Sequence, residues 1–119
     1  ISDMFGRKWT FVAGLIGFPG NPSYVASKHG VIGLTKTAAL EFARKGIRVN
    51  AVCPSMVETP MLAAFTGDEA TMKAMARMSP MGRLATAAEV AATIVWLCSD
   101  AASYVTGQAI AVDAGATAT

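Results

Sequence analysis

The stretch from Tyr24 to Pro54 constrains the fold more than any other part of this chain, because a helix-period segment runs without a break into a β-branched one. Val31, Leu34, Ala38 and Phe42 recur at the spacing that lines one side of a helix. Lys36, Glu41, Arg44 and Lys45 add polarity before Gly46 stops it. Ile47-Arg-Val-Asn-Ala-Val-Cys53 follows at once and ends at Pro54. A helix feeding directly into such a strand is the signature of an α/β unit, and the sheet is expected to be parallel.

The flanking segments fit the same alternation. A short apolar piece, Thr10-Phe-Val-Ala13, precedes a turn-rich crossing from Gly14 to Pro22. Between Ser55 and Pro80 the pattern is weak, with room for one or two short helices and with Asp68 near an N-terminus. Met56, Met61, Met72, Met75 and Met78 fall there; they read as adaptable apolar filler, with a mobile substrate lid as the functional alternative. Thr86-Ala-Ala-Glu89 has the form of a capping box and opens a helix through Val90, Ile94, Leu97 and Cys98, closed by Ser99-Asp100. After a turn at Gly107, Gln108-Ala-Ile-Ala-Val112 is the last strand. With no repeat or composition break, residues 1–119 form one unit of about three strands with three or four helices.

The chain has 119 residues, 53% of them hydrophobic and 15% charged, enough to bury a core and too apolar for disorder. Ten basic and eight acidic residues are spread evenly, with no basic stripe to favour nucleic acid. No apolar run approaches the roughly 20 residues of a membrane span. No signal-peptide core is visible either, so a cytoplasmic address is expected. Cys53 and Cys98 lie in apolar runs without metal or redox spacing and read as buried, reduced thiols; no metal site is expected. The chain opens on Ile1 rather than Met, which leaves room for residues upstream.

Tyr24 and Lys28 are four apart, which on a helix places both on one face a turn apart. A phenol with an ordinary pKa of ~10 is a poor base at neutral pH, and a nearby ammonium favours its ionised form. A phenol so poised can hand a proton to a carbonyl oxygen while hydride reaches the carbon, or take one from an alcohol. That is oxidoreductase chemistry, although a lone Tyr-x-x-x-Lys is common by chance.

From Val12 to Val112 the chain resembles the short-chain dehydrogenase/reductase family. The resemblance runs through Tyr24-Val-Ala-Ser-Lys28, Gly30, Gly33-Leu-Thr, Ala39-Leu-Glu41, Gly46-Ile-Arg-Val-Asn50, Pro54 and Thr59-Pro-Met61. It continues through Gly82-Arg83, Glu89, Leu97, Ser99-Asp100-Ala101, Val105-Thr106-Gly107 and Val112-Asp113, in order and at the family's spacing. The resemblance implies the rear half of a doubly wound Rossmann-type sheet and an NAD or NADP cofactor. By it, Tyr24 is the general acid/base, and Lys28 holds the nicotinamide ribose and tunes the tyrosine. Pro54, Ser55, Val57 and Thr59 match the loop around the nicotinamide carboxamide, largely through backbone groups. Asn50 has the family's residue type and is expected to make structural hydrogen bonds. The only histidine, His29, is expected to be structural as well.

The chain also departs from the family. The catalytic serine position, thirteen before the tyrosine, is Phe11; Thr10 could serve only if the register slipped by one residue. The Gly-rich first turn that cradles the pyrophosphate is absent, as are the adenosine-ribose selector and the Asn-Asn-Ala-Gly segment. Ser55, Ala85 and Ala114 stand where members usually have Gly, and Ser55 would be strained if it had to take a positive φ. Two readings follow. One is an oxidoreductase fragment acting on a small alcohol or carbonyl, in a longer parent or with a complementing front half. The other is a catalytically inactive remnant that acts as a self-association or assembly partner, through the apolar faces of 30–45 and 89–112. Glucose dehydrogenase-like and acyl-carrier reductase-like members look equally similar.

Overall fold

The computed structural model describes residues 14–17 and 19–118. The short apolar piece Thr10–Ala13, and with it Phe11 and Thr10, lies outside the described residues.

Helix α1 spans Pro22–Phe42 and starts where Asn21 accepts the Tyr24 N–H at 3.2 Å, with Pro22 in the first turn where a missing N–H costs nothing. A 3-10 turn over Ala43–Lys45 carries the chain to Gly46, whose φ of 75° closes the helix in the left-handed conformation that glycine adopts freely. The stripe legible in the sequence is not the face that packs. Ile32, Thr35 and Ala39 are buried, whereas Val31 and Leu34 are exposed. α1 is apolar on more than one side, so periodicity finds the helix without choosing its inner face.

Strand β1 is Ala51–Pro54 and pairs in parallel with β4, Ala109–Val112, in the register Ala51↔Ala109 to Pro54↔Val112. The strand expected from Ile47 starts four residues later. The stretch before it is held by one side-chain and one backbone bond: Val49 N–H donates to the Thr106 hydroxyl at 3.1 Å, and the Gly107 N–H donates to Val49 O at 2.7 Å. Asn50 donates to Val105 O at 2.9 Å and accepts the Gln108 N–H at 3.1 Å, the structural role expected of it. At Gly107, a Cβ would stand 3.3 Å from that of Ala39, so this turn rests directly on α1.

Between the two main strands lie β2 (Val57–Glu58), α2 (Pro60–Thr66), α3 (Glu69–Met78), β3 (Ala85–Thr86) and α4 (Ala87–Leu97). Thr59, Asp68 and Thr86 cap the three helices by accepting N–H groups of Leu62, Thr71 and Glu89, and Thr86 with Glu89 completes the expected capping box. The β2–β3 ladder, Val57↔Ala85 and Glu58↔Thr86, is parallel and was not legible in the sequence; two residues carry no periodicity. The methionines do act as filler: Met75 is buried with Leu62 and Leu84, and Met56 and Met72 pack against them, although Met78 is exposed.

Arg48 ties α4 to the sheet. Its guanidinium donates to Leu97 O at 2.7 Å, Ser99 O at 3.4 Å and Val105 O at 3.2 Å, placing a cation at the helix's negative end. The architecture is the rear part of an α/β Rossmann fold, with two two-stranded parallel sheets and four α-helices among the described residues. No described helix is long and apolar enough to cross a membrane.

Candidate active site

Two sets of residues make up the candidate site. The first is set by the start of α1. The Asn21 cap and Pro22 fix the opening turn, so Tyr24 and Lys28 leave the helix one turn apart, both half-buried. The Lys28 ammonium lies 5.5 Å from the centroid of the Tyr24 ring, within the range of a cation–π contact, and the Tyr24 hydroxyl is shielded from solvent. Gly14 lies against this pair's helix: a Cβ there would come 2.7 Å from Ile32 Cδ1 and 3.1 Å from Lys28 O, so no larger residue fits without movement. His29, one residue on, bonds through Nδ1 to Val25 O at 3.0 Å within its own helix, a structural role.

The second set lies at the carboxyl end of β1, where open parallel sheets place their ligands. Pro54 is buried and has no N–H to offer; Ser55 donates its own to Val112 O at 3.1 Å. Ser55 does not adopt a positive φ. Among described non-glycine residues only Ala114 does, at 57°, so the conditional strain at Ser55 is absent and the cost of a missing glycine falls on Ala114. The Ala85 N–H bonds Met56 O at 3.1 Å, so Ala85 takes the ladder bonds and Val57 turns its own N–H and C=O away from β3. Thr59 accepts the Leu62 N–H at 3.1 Å while its hydroxyl proton stays available for donation.

A cavity of about 390 Å³ opens beside this end of the sheet. Of the six residues expected at the site, it takes in Ser55 but not Tyr24, Lys28, Pro54, Val57 or Thr59. Sequence reasoning missed its charged groups, Arg83, Glu89 and Asp113, as site residues. Arg83 makes a fork-to-fork pair with Glu89, Nη2 to Oε1 at 2.6 Å and Nη1 to Oε2 at 3.0 Å. Their six-residue separation crosses a strand and is no helix-face spacing. Arg83 and then the Thr86 N–H draw the exposed Glu89 carboxyl down to about 2. Asp113 is buried in the turn after β4. Burial works to raise its pKa, but the Thr117 hydroxyl and the N–H groups of Gly115 and Thr117 together hold it below the usual carboxylate range.

The thiols divide. Cys53 is buried in β1, and burial followed by the negative charge of Asp113 pushes it up. Cys98 is exposed, contrary to expectation: it caps α4 one residue beyond Leu97, the buried last residue of the helix.

Comparison with known proteins places the fold. The profile described as enoyl-(acyl carrier protein) reductase matches residues 8–117. The chain belongs to the short-chain dehydrogenase/reductase family. It is 50% identical over 102 residues to a cyclohexanol dehydrogenase of Acinetobacter sp., covering 86% of this chain and 39% of that protein. It is equally 50% identical over 104 residues to a 3-oxoacyl-(acyl-carrier-protein) reductase of Thermotoga maritima, covering 87% and 42%. Among solved structures, ElxO with NADP bound superposes with a TM-score of 0.83 at 36% identity, over 92% of this chain and 45% of that one. A 4-hydroxyisoleucine dehydrogenase complexed with NADH gives 0.82 at 34%, over the same shares. The chain thus spans about two fifths of the length of the curated relatives it matches.

Proposed function

We propose that this chain is the rear portion of an NAD(P)-dependent oxidoreductase that interconverts a small alcohol and its carbonyl compound, with Tyr24 as the acid/base. The observation that carries the reading is the Tyr24–Lys28 pair, one turn apart on a capped helix with the ammonium 5.5 Å from the ring centroid. A nicotinamide cofactor, when bound, supplies or accepts the hydride; the protein's share is the proton. Tyr24 gives it to the carbonyl oxygen or takes it from the hydroxyl, and the charge of Lys28 favours the phenolate that must form.

The residues present suit such a cofactor. Val57 leaves an N–H and a C=O unused by β3, the donor and acceptor a carboxamide requires. Thr59 keeps a hydroxyl proton to donate, and Lys28 would meet ribose hydroxyls. Pro54 and Ser55 set the path of this loop, since neither has an N–H left to give. Phe11 at the serine position would remove a donor to the substrate oxygen, a loss on the order of 10²–10³ in turnover where such donors have been deleted.

Calorimetric titration with NADH and with NADPH, against a Tyr24→Phe, Lys28→Ala double variant, tests the reading. Binding by the chain that disappears in the variant is the expected result. A folded chain that binds neither nucleotide would overturn the reading for this polypeptide, leaving assembly with a partner as its role. That second reading draws on the exposed Val31 and Leu34 of α1 and Val95 and Trp96 of α4.

A further inference from the structure

The segment between β1 and α4 packs on itself. Among the described residues its core is Leu62, Met75 and Leu84, with Met56, Met72 and Ala76 against them, and this cluster includes no described residue of β1, β4 or α4. Its two ends meet in the β2–β3 ladder, only two residues long. A unit with its own core and so short a seam can shift as one body, because packed cores resist internal deformation more than their attachments do.

An ion pair, the only one among the described residues, also crosses the junction with α4. Arg83 sits on the arm returning from α3, and Glu89 sits in the first turn of α4. One carboxylate holds both sides: Glu89 Oε2 accepts the Thr86 N–H at 2.8 Å and Arg83 Nη1 at 3.0 Å, while Oε1 accepts Nη2 at 2.6 Å. Arg83 Nη1 also reaches Leu84 O at 3.2 Å, stiffening the arm it belongs to. The cavity lies across this junction. Ser79, Met81 and Leu84 line it from the arm, and Ser55, Val112 and Ala114 line it from the sheet ends. The Ser79 hydroxyl is solvent-inaccessible and has no hydrogen-bond partner, so it is a polar group at the wall with bonding capacity unused.

We propose that Arg83 is a positioning residue: through Glu89 it latches the helical flap of residues 57–84 to α4 and thereby sets the width of the cavity between the flap's return arm and the sheet. The inference rests on packing and does not depend on the hydride-transfer reading.

A thiol introduced by Ser79→Cys, in a Cys98→Ser background, reports on the opening of the cavity, and the native Cys53 in β1 is the internal control for global unfolding. Adding Arg83→Gln is expected to speed alkylation at position 79 roughly two- to fivefold, the range an exposed but bidentate pair supports, with the Cys53 rate unchanged. Salt at about 1 M should move the unaltered latch toward the variant, and Arg83→Lys should fall between the two, since an ammonium cannot form the fork. Equal rates at position 79 with and without Arg83→Gln would overturn the latch. So would a Cys53 rate that rises in step, which would make the pair a contributor to overall stability alone.

Discussion

The side-chain amide of Asn50 donates to Val105 O at 2.9 Å and closes a link between segments 55 residues apart. Its oxygen accepts the Gln108 N–H, so a single carboxamide replaces a strand pairing just before the β1–β4 ladder begins. Asn50→Ala removes the acceptor of the Gln108 N–H and leaves Val105 O with Arg48 as its one donor, and is expected to cost about 1 kcal/mol in urea denaturation. Asn50→Asp keeps the acceptor for Gln108 and loses the donor to Val105, and should fall between the two.

Ala114 has a φ of 57°, where a Cβ crowds the following carbonyl. Ala114→Gly relieves that strain but adds freedom to the unfolded chain, for an expected net gain of about 0.5–1 kcal/mol. The same change at the exposed, helical Ala88 should cost about that much, so opposite shifts in denaturation midpoint are the outcome to look for. A loss at both positions would refute the assignment of strain to Ala114.

The sequence made legible what depends on local chemistry. Gly46, Asp68 and the Thr86–Glu89 box mark helix ends through bonds to their own neighbours, and each is found where its residue type places it. The Tyr24–Lys28 pair was legible for the same reason, being one turn of one helix. What depends on distant partners was not. Nothing local says that Ile32 rather than Val31 faces inward, that Ala85 pairs with Val57, or that Arg83 closes on Glu89 across a strand. Ser55 and Ala114 show the same division. Both replace a glycine usual in the family, yet only the second takes the conformation that makes the replacement costly, and that depends on the path of the turn after β4.

Glu89 and Asp113 give the fold an acid limit from two different sources. Both folded carboxyls lie below their ordinary range, so their stabilisation is complete above the unfolded values of ~4 and is lost as pH falls through the folded ones. For Glu89 that window runs from ~4.3 down to about 2. Denaturation of Glu89→Gln and Asp113→Asn variants should therefore show deficits against the parent that are constant above about pH 5 and shrink below it. Salt separates the two. The Glu89 deficit, from an exposed pair, should diminish in high salt, whereas that of the buried, hydrogen-bonded Asp113 should persist.

Val31 and Leu34 stand a turn apart on α1, 52% and 69% exposed, beside the buried Ile32 and Thr35. They extend the helix's inner face past what the described residues cover, and Val95 and Trp96 do the same on α4. Burying such a stripe against a second copy or a complementing segment would gain roughly 25 cal/mol per Å² of apolar area. The chain is therefore expected to sediment above its 12.3 kDa monomer mass. Val31→Lys with Leu34→Glu should return it toward the monomer at little cost to folding, since both side chains are exposed before association. Leu40 is the discriminating control. At 84% it is more exposed than either, but it lies on the opposite side of α1 from Val31, so Leu40→Glu should leave the assembly unchanged. If all three substitutions disperse it equally, general stickiness rather than this face holds the assembly together.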